Sequence, residues 1–200
     1  MEEIDMILST DQLLMKYAEY KSPHHKIQSL IRQGEIIPLK KGLYETDRTV
    51  PGYMLAGSLC GPSYLSFEYA LSYYGMIPER AVVYTSATFR RNRKTEFSNA
   101  FGVYAYRDIS AAAYPQGYTL IEGKPYPYLI AEREKALCDE LSVIPPIRGK
   151  KDFREYLFDG MRLDEDEFEN LDFAKLRRLA SLYHRTNLEQ LIRLTEDMER

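Results

Sequence analysis

Between Ser22 and Thr46 the sequence leaves room for little except one helix followed by one tight hairpin. Ser22-Pro23 is a helix start: a hydroxyl suited to capping, then a proline in the first turn, where no amide donor is missed. Ile27, Leu30 and Ile31 recur at helical spacing, and Gly34 supplies the left-handed residue on which helices end. Two strand-like runs, 35–39 and 43–46, then flank a Lys40-Lys41-Gly42 turn. Upstream, Ser9 and Gln12 stand at capping-box spacing ahead of Leu13, Leu14, Tyr17 and Ala18. Residues 1–50 therefore read as a small helical unit closed by a β-hairpin.

Charge is distributed unevenly over this unit. Residues 21–44 hold five bases (Lys21, Lys26, Arg32, Lys40, Lys41) against the single acid Glu35, in a chain whose net charge is −3. The bases fall on the helix face opposite the apolar stripe and on the hairpin turn. A winged helix-turn-helix uses this arrangement: a helix offers Lys, Gln, Ser, His and Arg to base edges, and the hairpin turn touches backbone or minor groove. A solvated amphipathic helix beside an ordinary hairpin shows the same pattern.

Thr49-Val50-Pro51-Gly52 marks a boundary. Beyond it, residues 62–75 read as helical, 81–85 and 103–106 as strands, 118–121 with 126–130 as a hairpin, and 132–141 as a helix. Pro145-Pro146 closes this block, and the remainder is helical, with a third capped start at Thr186-Asn187. The expected fold is α+β in three parts: a winged helix-turn-helix over 1–50, a mixed domain with a small sheet over 51–147, and a helical C-terminal extension over 148–200.

Catalytic chemistry is hard to find in this sequence. His24 and His25 are adjacent and His184 is isolated, so no spaced histidine pair offers a zinc site. There is no glycine-rich phosphate loop. Cys60 and Cys138 lack a nucleophile signature and suit burial as small hydrophobes, in a reducing compartment. Acids at Asp164, Glu165, Asp166, Glu167, Glu169 and Asp172 fit a helix start without any ion. Glu132, Glu134, Lys135, Asp139 and Glu140 crowd one helix and are expected to pair at the surface, whereas Glu68, among aromatic residues, suits a half-buried carboxylate with a tyrosine or arginine partner. A second basic cluster, Arg90, Arg91, Arg93 and Lys94, is either a phosphate-tracking patch or a charged loop. No catalytic residue, metal or cofactor is expected. An acidic start and the lack of a long apolar run place the chain in the cytoplasm, away from membranes.

Four stretches together, LIRQGEIIPLKKGLYE at 30–45, PSYLSFEYALSYYGMIPE at 62–79, VVYTSATFRRNR at 82–93 and AEREKALCDEL at 131–141, resemble the AbiEi-type antitoxins of type IV toxin–antitoxin and phage-defence modules. The resemblance spans about residues 10–141, in the family's order. It implies a DNA-binding transcriptional regulator, without enzymatic activity, that represses its own promoter through inverted repeats, as a dimer on double-stranded DNA. The partner it implies is a nucleotidyltransferase-like toxin, counteracted without a stable complex being required. Carried over by position, the DNA-reading residues are Lys26, Gln28, Ser29 and Arg32, with Lys21 and His25 beside them, and Lys40, Lys41 and Tyr44 on the wing. Two features depart from the family: the first unit is one helix short unless residues 2–8 supply it, and His24-His25 replaces small polar residues. Two other functional classes fit the residues alone, a protein-interaction module and a nucleic-acid-processing enzyme carrying a DNA-binding domain. Against the enzyme, Gly57-Ser58 is followed by no acid pair at nucleotidyltransferase spacing, the next aspartate being Asp108.

Overall fold

The computed structural model describes residues 7–91 and 95–199. The fold is α+β, with two sheets. The first unit runs β1 (Leu8–Ser9), α1 (Thr10–Lys16), α2 (Pro23–Gln33), β2 (Ile37–Lys40) and β3 (Leu43–Glu45). Ser9 and Gln12 form the expected capping box: the Gln12 amide donates to Ser9 Oγ at 3.2 Å, and the Ser9 amide donates to Gln12 Oε1 at 2.8 Å. Such a cap is worth about 1 kcal/mol to so short a helix. Helix α2 begins at Pro23, but the Ser22 hydroxyl makes no capping bond, which corrects that part of the expectation. Gly34 closes α2 at φ 73°, and Gly42 turns the hairpin at φ 81°.

Leu8, within the 2–8 stretch that could have supplied an extra helix, instead forms strand β1 with Ser9, antiparallel to β3 with Leu8 opposite Tyr44. Residues 2–6 of that stretch lie outside the described residues. The sheet order is β1-β3-β2, and the two helices pack on it through Leu13, Ile27, Leu30 and Ile36.

The rest of the chain shares one large core. After a 3-10 turn (Gly52–Leu55) and α3 (Ala56–Leu59) come β4 (Tyr64–Leu65), α4 (Phe67–Tyr73), β5 (Val83–Thr88), β6 (Thr95–Asn99), β7 (Gly102–Asp108), β8 (Tyr118–Ile121), β9 (Tyr128–Ala131) and α5 (Arg133–Val143). The expected small sheet has six strands, in the order β6-β7-β5-β4-β9-β8, with β5 parallel to β7 and β4 parallel to β9. Residues 64–65, expected as helix, are the strand that joins its two halves.

The last fifty residues are helical, as expected: α6 (Lys150–Glu155), a π turn (Tyr156–Gly160), α7 (Glu165–Glu169), α8 (Phe173–Ala180) and α9 (Thr186–Met198). They do not stand apart as an extension, because Leu176, Leu179, Leu188 and Leu191 belong to the same buried cluster as Leu65, Ala87 and Leu137. Asn187 does not cap α9. Its amide accepts from the Ile147 amide at 2.8 Å and donates to the carbonyls of Leu141, Ile144 and Pro145, clamping the Pro-rich connection. Asp164 and Asp172 do cap, accepting from the amides of Glu167 and Lys175, which accounts for part of the acidic run. Among the described residues no helix is long and apolar enough to cross a membrane, and no cluster of acids, histidines and cysteines could hold a metal ion.

Candidate nucleic-acid interface

Helix α2 is apolar toward α1 and the sheet, and polar on its far side. Ile27 and Leu30 are buried, while His25, Gln28 and Arg32 are exposed at spacings of three and four, along one stripe opposite Leu30. Lys21 continues that stripe just before the helix, and Ser29 flanks it, half-buried. His24 is exposed beside it. Lys41 is exposed at the hairpin turn, next to Gly42.

Two of the expected basic contacts are engaged within the protein. Lys26 points back toward α1, its ammonium 5.8 Å from the Tyr17 ring centroid and 5.5 Å from that of Tyr20. These rings meet edge to face and hold the cation at about 0.5–1 kcal/mol. Lys40 turns inward and donates to the carbonyls of Leu59 at 2.7 Å and Ser58 at 3.3 Å, where α3 runs out of intrahelical donors. Tyr44 is half-buried and packs on the small core. The side chains brought together at the surface are therefore Lys21, His25, Gln28 and Arg32, with Lys41 at the turn.

Lys40 is one of the ties between the first unit and the rest. Tyr126 donates to Glu45 Oε2 at 2.9 Å, and Asn99 Nδ2 donates to the Leu39 carbonyl at 3.1 Å. Leu39 and Val50 belong to the large core. The hairpin is thus fastened both beside its turn, through Leu39 and Lys40, and at its base, through Glu45, while Lys41 at the turn is exposed.

In the second basic cluster, Arg90 is exposed and has a left-handed backbone at φ 56°. Arg91 is engaged: its amide donates to Asp108 Oδ2 at 2.7 Å and its guanidinium donates to the Gly61 carbonyl. Arg93 and Lys94 lie outside the described residues.

Helix α5 overturns the expectation of surface pairing. It lies between α4 and the C-terminal helices, so Lys135 and Asp139 are wholly buried, with Nζ and Oδ1 3.1 Å apart. Asp139 also accepts from Ser66 Oγ at 2.6 Å, Tyr64 OH at 3.0 Å and Tyr183 OH at 2.6 Å. Lys135 donates to Tyr183 and to the Ala113 carbonyl. Burial pulls the Lys135 pKa down, and the Asp139 charge beside it opposes that shift. Glu134 is buried too; burial pulls its pKa upward, but the bonds from Lys175 and from the Asp172 amide outweigh that and lower it. The four-residue spacing of Lys135 and Asp139 was the available signal, but their partners lie up to 75 residues away in sequence.

Glu68 finds an arginine, as expected. Arg107 Nη2 donates to Glu68 Oε1 at 2.8 Å, and Nη1 lies 3.6 Å from Glu140 Oε2. The preceding residue, Phe67, is buried at a left-handed φ of 57°, a strain of about 1–3 kcal/mol that turns β4 sharply into α4. Burial first, and the nearby Glu68 carboxylate second, push the Glu140 pKa up to about 7. The three quoted stretches from 62 to 141 thus build one structural unit, β4–α4, β5 and α5.

No protein-family model matches the sequence, and no curated protein matches it either.

Proposed function

We propose that this chain is a DNA-binding transcriptional regulator whose first unit is a winged helix-turn-helix, with α2 as the reading helix and the β2–β3 hairpin as the wing. The observation that carries this reading is the exposed His25, Gln28 and Arg32 stripe opposite the buried Ile27 and Leu30, with Lys21 exposed just before the helix and Lys41 exposed at the turn of a hairpin fastened through Lys40 and Glu45. The strand before the helices and the β1-β3-β2 sheet order support it, since that order holds the hairpin beside the helix pair. In this reading Lys21, Arg32 and Lys41 neutralise phosphates, and Gln28 reads a base edge. Lys26 and Lys40 shape the unit from within, and Arg90 is the accessible member of the second patch.

The resemblance to AbiEi-type antitoxins supports a narrower role: a cytoplasmic antitoxin, not an enzyme, that represses its own promoter as a dimer and counteracts a nucleotidyltransferase-like toxin. The exposed helix stripe supports this over an interaction module.

The test is a binding titration against DNA upstream of the chain's own gene, beside a scrambled duplex, at several salt concentrations. Three phosphate contacts per protomer, six for the dimer, give a log–log salt slope of roughly −5, at about −0.9 per contact. Equal, salt-independent binding to both duplexes would overturn the reading. Release of a co-expressed toxin's growth arrest, or its persistence, decides the antitoxin role.

A further inference from the structure

A groove of about 420 Å³ lies on the face of the six-stranded sheet that carries α4. Residues directly opposite one another share a face, so the register sets two rows across it: Val83, Val103 and Ser98, then Thr85, Ala105 and Glu96. Helix α4 covers the β5 end of the second row, where Thr85 Oγ1 donates to the Ser66 carbonyl at 2.7 Å and accepts from the Tyr69 amide at 3.1 Å. Over β7 and β6 that cover stops. Val103 is 42% exposed, and Val82, just before β5, is 82% exposed. The other face of β7 is closed, since Tyr104 and Tyr106 are buried there and donate to the carbonyls of Gly52 and Ala56. Two exposed charges border the apolar strip: Arg80, ahead of β5, and Glu96, on edge strand β6. Among the described residues neither side chain has an ion pair or a hydrogen bond. Glu68 and Arg107, which also line the groove, are paired with each other.

We infer that this face is the contact between two copies of the chain related by a two-fold axis, with Val82, Val83 and Val103 packed across the axis and Arg80 of each copy paired with Glu96 of the other. A two-fold contact makes each pairing twice, so the same surface must hold both members of the pair. This surface does: one unpaired cation and one unpaired anion flank an apolar strip, and the small Ala105 between them lets the two faces approach. A uniformly acidic or basic partner would leave one of those charges facing its like. Exposed apolar strips rimmed by charge are where protein surfaces associate. The assignment deepens the DNA-binding reading by naming the surface of its dimer, but the contact itself needs no DNA.

Sedimentation equilibrium of the full chain without DNA tests it. The wild-type mass should rise from one chain to two, with a dissociation constant on the order of 10 μM, as for a contact at the small end of protein interfaces. Val82→Asp changes a side chain outside the core and should weaken the dimer at least about ten-fold, because the carboxylate would be desolvated against apolar residues. Arg80→Glu and Glu96→Arg each set like charges together at both contacts and should also weaken it at least about ten-fold. Mixed in equal amounts, these two variants should associate within about three-fold of the wild-type affinity, because every contact in the mixed dimer is again between opposite charges. Recovery on mixing also shows that both variants are folded. A wild-type chain that stays monomeric at about ten times the expected dissociation constant would overturn the interface. So would a dimer indifferent to Val82→Asp, or a mixture no tighter than its components. A monomeric chain whose Val82 face instead holds the co-expressed toxin gives the face to another partner and overturns it too. A chain that dimerises this way and shows no preference among DNA sequences refutes the regulator and leaves the interface standing. A monomer that binds its operator does the reverse.

Discussion

Replacing Glu140 by glutamine should make the protein more stable above neutral pH and leave it unchanged in mild acid. Glu140 is only 7% exposed, one of its oxygens has no hydrogen-bond partner, and the Arg107 guanidinium is already committed to Glu68 at 2.8 Å. Its pKa rises from 4.5 to about 7 because burial, and then the Glu68 charge, penalise the carboxylate. Between those two values the folded chain holds a proton that the unfolded chain has released. Stability therefore falls as pH rises through this window and levels off above it. The displacement corresponds to at most about 3 kcal/mol between the two protonation states. Glutamine imitates the protonated acid at every pH, so the variant should lack this loss.

Urea unfolding from pH 5 to 8.5 measures the difference directly. Every other ionisable group is common to both chains, so the wild-type-to-variant difference isolates Glu140. Glu134 contributes in the opposite sense and below this window, since its pKa is lowered by Lys175 and the Asp172 amide in spite of burial. The two chains should match at pH 5 and diverge by about 2–3 kcal/mol at pH 8 in favour of Glu140→Gln. A difference that does not change with pH would refute the argument.

Other substitutions test other parts of the structure. Asp139→Asn leaves the Lys135 ammonium buried without its counter-charge and should cost about 3–5 kcal/mol in unfolding experiments, whereas Lys135→Met with Asp139→Leu should recover much of the loss. Asn187→Ala strips four bonds from the connection between α5 and α6; it should cost about 2–4 kcal/mol, read as a fall in Tm of roughly 5–12 °C. Lys41→Ala should weaken binding to all duplexes alike and reduce the dimer's salt slope by about two, whereas Gln28→Ala should change which duplex is preferred. Lys40→Ala should instead lower thermal stability, because its ammonium is bonded to the Ser58 and Leu59 carbonyls; an unchanged Tm with weakened DNA binding would show that Lys40 faces the DNA.

The elements legible in the sequence were those specified by their immediate neighbours. The Ser9–Gln12 capping box, Pro23, Gly34 and Gly42 each act within one turn of chain, and each marks an element boundary or turn in the fold. Strand β4 was hidden because two residues among Leu65, Tyr69 and Leu71 cannot outweigh a helical spacing, and they become a strand only by bridging β5 and β9. Edge strand β6 was hidden because Thr95–Asn99 alternates weakly and has one apolar side chain. The same limit governed side-chain direction. Periodicity placed Lys26 and Lys40 on a basic surface, but Lys26 is drawn onto the Tyr17–Tyr20 pair and Lys40 onto the end of α3. In α5 a run of charges looked solvated because the groups that satisfy it, Ser66, Ala113, Lys175 and Tyr183, lie on other elements. A charge pattern thus bounds the number of cations a surface can offer, and the long-range partners decide how many it does offer. For residues 21–44 that reduces five bases to three, Lys21, Arg32 and Lys41, which is why the salt slope discriminates so directly between the sequence pattern and the folded surface.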